Sequence, residues 1–185
     1  MPENTAHDHH PGPHPTNPET LELLQAVCDV VRQGDAAQLA PLLGRGLPPN
    51  LTNQKGDTLL MLASYHGHLD TARLLLDHGA DPERFNDAGQ SPIQGAAFKG
   101  DLSMVELLLD RGANIEGAGP SGKTPLMMAA MFGRREIMDL LLARGANLQA
   151  RDVDGRSVAD AARLMGATEL AEHLDRLLET TATPS

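Results

Sequence analysis

Short apolar runs, each closed by a glycine, recur along the chain at one fixed distance. Leu74-Leu75-Leu76, Leu107-Leu108-Leu109 and Leu140-Leu141-Leu142 follow one another at 33 residues, and each gives way to a glycine, Gly79, Gly112 or Gly145. A smaller apolar run stands ahead of each triplet; in one unit TPLMMAAMF from Thr124 precedes RREIMDLLLARG from Arg134. Thr124 suits a helix N-cap and Pro125 a first helical turn. Ala129-Ala130 lets neighbouring helices approach closely, the leucines fill the second helix, and Gly145 ends it where the chain must turn left-handed. Each unit therefore predicts two helices. No unit of this size buries its apolar face alone, so the units must stack.

The glycines carry the same period. Gly34, Gly67, Gly100, Gly133 and Gly166 form one comb, Gly46, Gly79, Gly112 and Gly145 a second, Gly56, Gly89, Gly122 and Gly155 a third. Together they hold 13 of the 18 glycines, which excludes chance spacing. Glycine suits helix C-termini and tight turns.

The stretches GDTLLMLASYHGHLDTARLLLDHGAD, GQSPIQGAAFKGDLSMVELLLDRGAN and GKTPLMMAAMFGRREIMDLLLARGAN resemble the ankyrin repeat, whose pattern is G-x-T-P-L-H-x-A-A-x-x-G-H…LL-x-x-G-A-[DN]. The GDTLLMLASYHGH wording is similar to small bacterial members of that family. The resemblance covers 17–179 and implies an all-α solenoid of antiparallel helix pairs with β-turn fingers, about five units including caps. The expected division is a disordered His/Pro-rich tail at 1–16, an N-terminal capping repeat at 17–52, and inner repeats at 53–85, 86–118 and 119–151. A C-terminal capping repeat at 152–179 and a disordered tail at 180–185 complete it.

Three departures from the family pattern matter. Met61, Gln94, Met127 and Asp160 stand where the family has the histidine that bonds to neighbouring loops. The finger from Glu116 to Gly122 is glycine-rich, lacks the usual Asp, and should be the most mobile. Arg163 stands where inner repeats have small Ser64, Ala97 and Ala130, so nothing should stack beyond it. Glu172, Asp175 and Arg176 add to this polar end, as a solenoid cap requires.

Composition narrows the partner. The net charge of -10 argues against nucleic acid and against an anionic membrane surface. Met1 to Pro18 holds no apolar run of the secretory kind, and no stretch approaches the ~20 apolar residues of a bilayer span. Cys28 is alone and falls in an apolar stretch, which predicts a buried, inert thiol. A cytoplasmic protein fits these features. Aromatics make up 2% of the chain, so Leu, Ala and Met must fill the core, which favours closely spaced helices over sheets.

Several constellations invite chemical readings. GAGPSGKT, Gly117 to Thr124, spells a phosphate-binding loop letter for letter, with Lys123 for the terminal phosphate and Thr124 for Mg²⁺. Its context is wrong, because a helix-ending finger precedes it where a buried strand is needed. His7, His9, His10 and His14 give the N-terminal tail weak metal-binding chemistry without fixed geometry. His68 follows Gly67 at a helix start, as it does in the family, and reads as structural.

The constellation of most consequence is aromatic. Tyr65, Phe98 and Phe132 fall at the end of the first helix in successive repeats, beside His66, Lys99 and Met131, while Phe85 falls in a finger. The family resemblance implies that these positions face a concave surface. Aromatic residues and Met are what interface hot spots use. The expected function is a non-enzymatic scaffold, a monomer, binding another protein through Tyr65, His66, Phe85, Phe98, Lys99, Met131 and Phe132. No catalytic residue, cofactor or metal is expected. Packing between repeats is the competing role for the three rings.

Overall fold

The computed structural model describes residues 17–182. The four tail histidines lie outside them. The described residues form five helix pairs: α1 (Pro18–Arg32) with α2 (Ala36–Gly44), α3 (Leu59–Tyr65) with α4 (Leu69–Asp77), α5 (Pro92–Lys99) with α6 (Leu102–Asp110), α7 (Pro125–Met131) with α8 (Arg135–Ala143), and α9 (Val158–Leu164) with α10 (Thr168–Ala182). First helices pack on first helices and second helices on second helices, as a solenoid requires.

Local chemistry starts these helices where the sequence expects. Thr58 and Thr124 cap α3 and α7, accepting the amides of Met61 and Met127 at 3.1 and 3.2 Å. Such a cap contributes about 1 kcal/mol. The inner layer is a column of alanines one period apart, Ala63, Ala96, Ala129 and Ala162, all fully buried. With no side chain beyond Cβ, these alanines let successive first helices lie close together.

The second layer shows what a leucine triplet does. Only its central residue is wholly buried: Leu75, Leu108, Leu141 and, in the last unit, Leu174. Each contributes about 2 kcal/mol by leaving water. Leu107 also belongs to the core, and the other flanking leucines pack against it from its edge. So His173-Leu174-Asp175 keeps the one leucine that the core cannot do without.

At the last unit α10 runs to Ala182, past the boundary expected at 179. No glycine or proline interrupts 177–182, and Leu177 and Leu178 are still half-buried, so nothing stops the helix at Glu179. Arg163 is exposed and pairs with Asp160 and Asp175, whereas Ser64, Ala97 and Ala130 are buried. Among the described residues no further helix pair follows the one that carries Arg163. Cys28 is buried, and desolvation raises its pKa, so it presents no thiolate.

Three of the four fingers are held by a side chain at the same register. Asn53 Oδ1 accepts the amides of Lys55 and Asp57, Asn86 Oδ1 those of Ala88 and Gln90, and Asp152 Oδ1 those of Asp154 and Arg156. The third finger has Gly119 at this register and no such acceptor. It is held from outside instead. Gln94 is buried, and its Nε2 donates to the carbonyls of Lys123 and Ala118 at 2.5 and 3.4 Å. Gln94 thus supplies the loop contact for which the family uses histidine.

Candidate interaction surface

The rings at the ends of the first helices form one continuous stack. Tyr65 and Phe98 lie parallel, 9° apart, with ring centres 6.4 Å apart. Phe98 and Phe132 meet edge to face at 89° and 4.6 Å. The change of geometry is a change of register. Counting by 33, Tyr65 and Phe98 are followed by Met131, whereas Phe132 follows His66 and Lys99. Phe132 is the residue after α7 and meets Phe98 from one position further along. Lys99 Nζ sits 4.6 Å from the Tyr65 ring centre, a cation–π contact of about 0.5–1 kcal/mol at an exposed site. His66 stands perpendicular to Tyr65 and stacks on His68.

The seven expected residues thus divide. Tyr65, His66, Phe98, Lys99 and Phe132 come together. Met131 is half-buried and packs on the core. Phe85 joins no ring of the stack; its edge lies against Gly119, where a Cβ would stand 3.0 Å from Cε1. It fills the hollow left by the finger residue without a side chain.

A groove of about 940 Å³ runs beside the stack, between the fingers at 53–57 and 86–90 and the faces of α1, α3 and α5. Arg32, Lys55, Met61, Tyr65, His66 and Gly95 are among its walls. Burial lowers the pKa of His66, and the neighbouring His68, Arg32 and Lys99 lower it further. Four positions went unread in the sequence although the period marks them. Arg32 precedes Tyr65 by one repeat. Leu164 and Met165 follow Met131 and Phe132 by one repeat and are 55% and 53% exposed, large apolar side chains in water on the last unit, as is Val153 of its finger. Lys55 sits at a finger tip.

In the GAGPSGKT segment several of the groups a phosphate cradle would use are already engaged. The amides of Gly117 and Gly122 donate to the carbonyls of Asn114 and Gly119, and that of Lys123 to Ser121 Oγ. Thr124 is buried and caps α7. His68 is structural as read, its Nε2 bonding the Arg32 carbonyl at 2.7 Å. Among the described residues no three His, Cys, Asp or Glu gather as a metal site, and no helix is long and apolar enough to cross a membrane.

Comparison with known proteins decides the family. A profile of ankyrin repeats, in three copies, matches residues 23–118 and 86–152. The chain is an ankyrin-repeat protein. Over 56 residues it is 61% identical to an ankyrin repeat protein of Pseudomonas aeruginosa, a stretch that makes up 30% of this chain and 33% of that protein. The matched stretch therefore spans about a third of that relative's length. Ankyrin repeats are, as a family, protein-interaction modules, and the ring stack lies on this solenoid where successive repeats present their first-helix ends.

Proposed function

We propose that this ankyrin-repeat protein is a non-enzymatic scaffold that docks another protein along the Tyr65–Phe98–Phe132 stack and the groove beside it. The observation that carries the reading is the placement of scarce aromatics. Three of the four in the chain stand in mutual contact at helix ends, and Tyr65 is 46% exposed. A core that needed rings for packing would bury them. Rigid rings held by their neighbours lose little entropy on binding, which is the property of an interface anchor.

A quantitative pull-down from the source cell, wild type against Tyr65→Ala and Phe98→Ala, tests it. Each substitution should weaken capture of the partner by about 2 kcal/mol, about 30-fold in affinity. Thermal unfolding should leave Tyr65→Ala close to wild type. Undiminished capture by a folded Tyr65→Ala protein would overturn the reading.

A further inference from the structure

The end of the first helix carries a strip whose chemistry changes from one end of the solenoid to the other. At one register the residues are Arg32, Tyr65, Phe98, Met131 and Leu164; at the next they are Gln33, His66, Lys99, Phe132 and Met165. The first units contribute cations and polar groups, the last units only apolar side chains, and the rings join the two halves. The exposed large hydrophobics Leu164 and Met165 fall at one end of this strip, and Lys99 and His66 fall toward the other.

Several cations of the molecule are already engaged, whereas the strip keeps one that is not. On the second helices Arg111 and Arg144 are neutralised by Asp77 and Asp110 of the preceding repeat, at 2.5 and 2.9 Å. Arg134 spends its guanidinium on the Phe98 carbonyl. Arg32 pairs with Asp29. Lys99 and Lys55 form no ion pair among the described residues, and both are exposed in a chain of net charge -10. Lys55 shares the groove with Asp57, already holding the amides of the Asn53 and Asn86 side chains, and with Asp87, while Lys99 lines a cavity with Asp101, whose carboxylate already accepts the Met104 amide. Lys99 is positioned by the Tyr65 face, so its charge is fixed beside the ring on which a partner would lie.

We propose that the strip binds an extended partner segment with carboxylates at one end and large apolar side chains at the other, the carboxylates at Lys99 and His66, the apolar residues on Phe132, Leu164 and Met165. The polarity sets the direction in which the segment lies. The proposal rests on the docking site proposed above and adds the chemistry of its occupant. Buried apolar contact holds the segment, and the charge pairing orients it and excludes basic sequences.

The test uses random peptides of about 12 residues, which extend to about 40 Å, displayed on phage and selected on the full chain. Selected peptides should concentrate Asp and Glu in one half and Leu, Met and Phe in the other. Fluorescence anisotropy on synthetic copies should show affinity falling about tenfold or more in Lys99→Glu, and likewise in a Leu164→Ser/Met165→Ser protein. All three positions are exposed, so these variants should fold; circular dichroism checks this. Neutral or basic peptides whose binding is lost in Tyr65→Ala would overturn the proposed polarity and leave the docking site standing. Peptides indifferent to Tyr65→Ala, or no enrichment over bare support, would overturn both.

Discussion

The junction between the second and third units differs from the junctions on either side of it, and one residue makes the difference. After Gly67 and Gly133 come His68 and Arg134, which reach back a full repeat and bond the carbonyls of Arg32 and Phe98. After Gly100 comes Asp101, which has no proton to donate. Its carboxylate turns inward and caps its own helix α6 through the amide of Met104 at 3.0 Å. The flanking junctions are braced across the repeats and their second helices α4 and α8 have no side-chain cap; the middle junction has the cap and no brace. In the middle, a cavity of about 500 Å³ opens between Tyr65, His66, Lys99 and Asp101. Besides the Arg111–Asp77 and Asn86–Asp57 bonds that also cross this junction, the parallel pair Tyr65–Phe98 and the Lys99 contact join it at the helix ends, where a bond from the residue after the glycine joins the others. The repeat register fixes where a residue stands, and its donor or acceptor character then decides whether it ties two units together or leaves the surface between them open.

Glycine substitutions give the largest expected contrast. Gly34 and Gly67 have almost the same backbone, φ +73° and +75°, so Ala costs each about 1 kcal/mol in conformation alone. At Gly34 the new Cβ would also stand 2.6 Å from His68 Cγ and force the bracing ring away. At Gly67 the nearest atom is Asp101 Oδ2 at 3.5 Å, an ordinary contact. Gly34→Ala should therefore lose about 2–3 kcal/mol and Gly67→Ala about 1 kcal/mol, since the first also gives up a hydrogen bond and packing. Urea unfolding of the two proteins measures the gap, and equal losses would show that the His68 brace contributes nothing.

Much of the fold was legible because the period of 33 fixes which residues are equivalent. The Ala63 column, the central leucines and the caps at Thr58 and Thr124 all follow from it. Of the candidate surface, the sequence located the contacting rings and missed their register. Phe132 reads as the partner of Tyr65 when judged by its nearness to a glycine, and as the partner of Lys99 when counted by 33. Leu164 and Met165 escaped for a related reason: a polar cap was expected, and two apolar residues carry no aromatic signal although the period places them on the strip. Phe85 could not have been assigned locally. Its ring fills a hollow created by Gly119, 34 residues further on, and by that glycine's missing side chain.

Exchanging the two kinds of junction gives a smaller effect. Asp101→Ala removes the α6 cap and should cost about 1 kcal/mol. Asp101→Arg removes the same cap but puts a guanidinium where Arg134 stands one repeat later, within reach of the Tyr65 carbonyl. It should recover part of that loss, about 0.5 kcal/mol, with Lys99 opposing by like charge. Arg no more stable than Ala at this position would show that the middle junction cannot accept a brace.

The smallest expected effect is the pH response of the open junction. Burial first, then the neighbouring His68, Arg32 and Lys99, hold the His66 pKa below its ordinary value of 6.5. Between that lowered value and 6.5 the unfolded chain binds more protons at this residue than the folded one, so stability falls slightly as pH drops through the window. The carboxylates Asp152 and Asp160, held below 3.8 chiefly by backbone amides, stay charged throughout it. Binding of an acidic segment should respond in the opposite sense, strengthening as His66 gains its proton beside Lys99. His66→Gln should flatten both responses. An NMR titration that follows the His66 ring protons, with urea midpoints from about pH 7.5 to about pH 5, reads the two together. A His66 pKa at or above 6.5 in the free protein would show that burial and the neighbouring cations do not lower it, and the loss of stability expected over this window would then be absent.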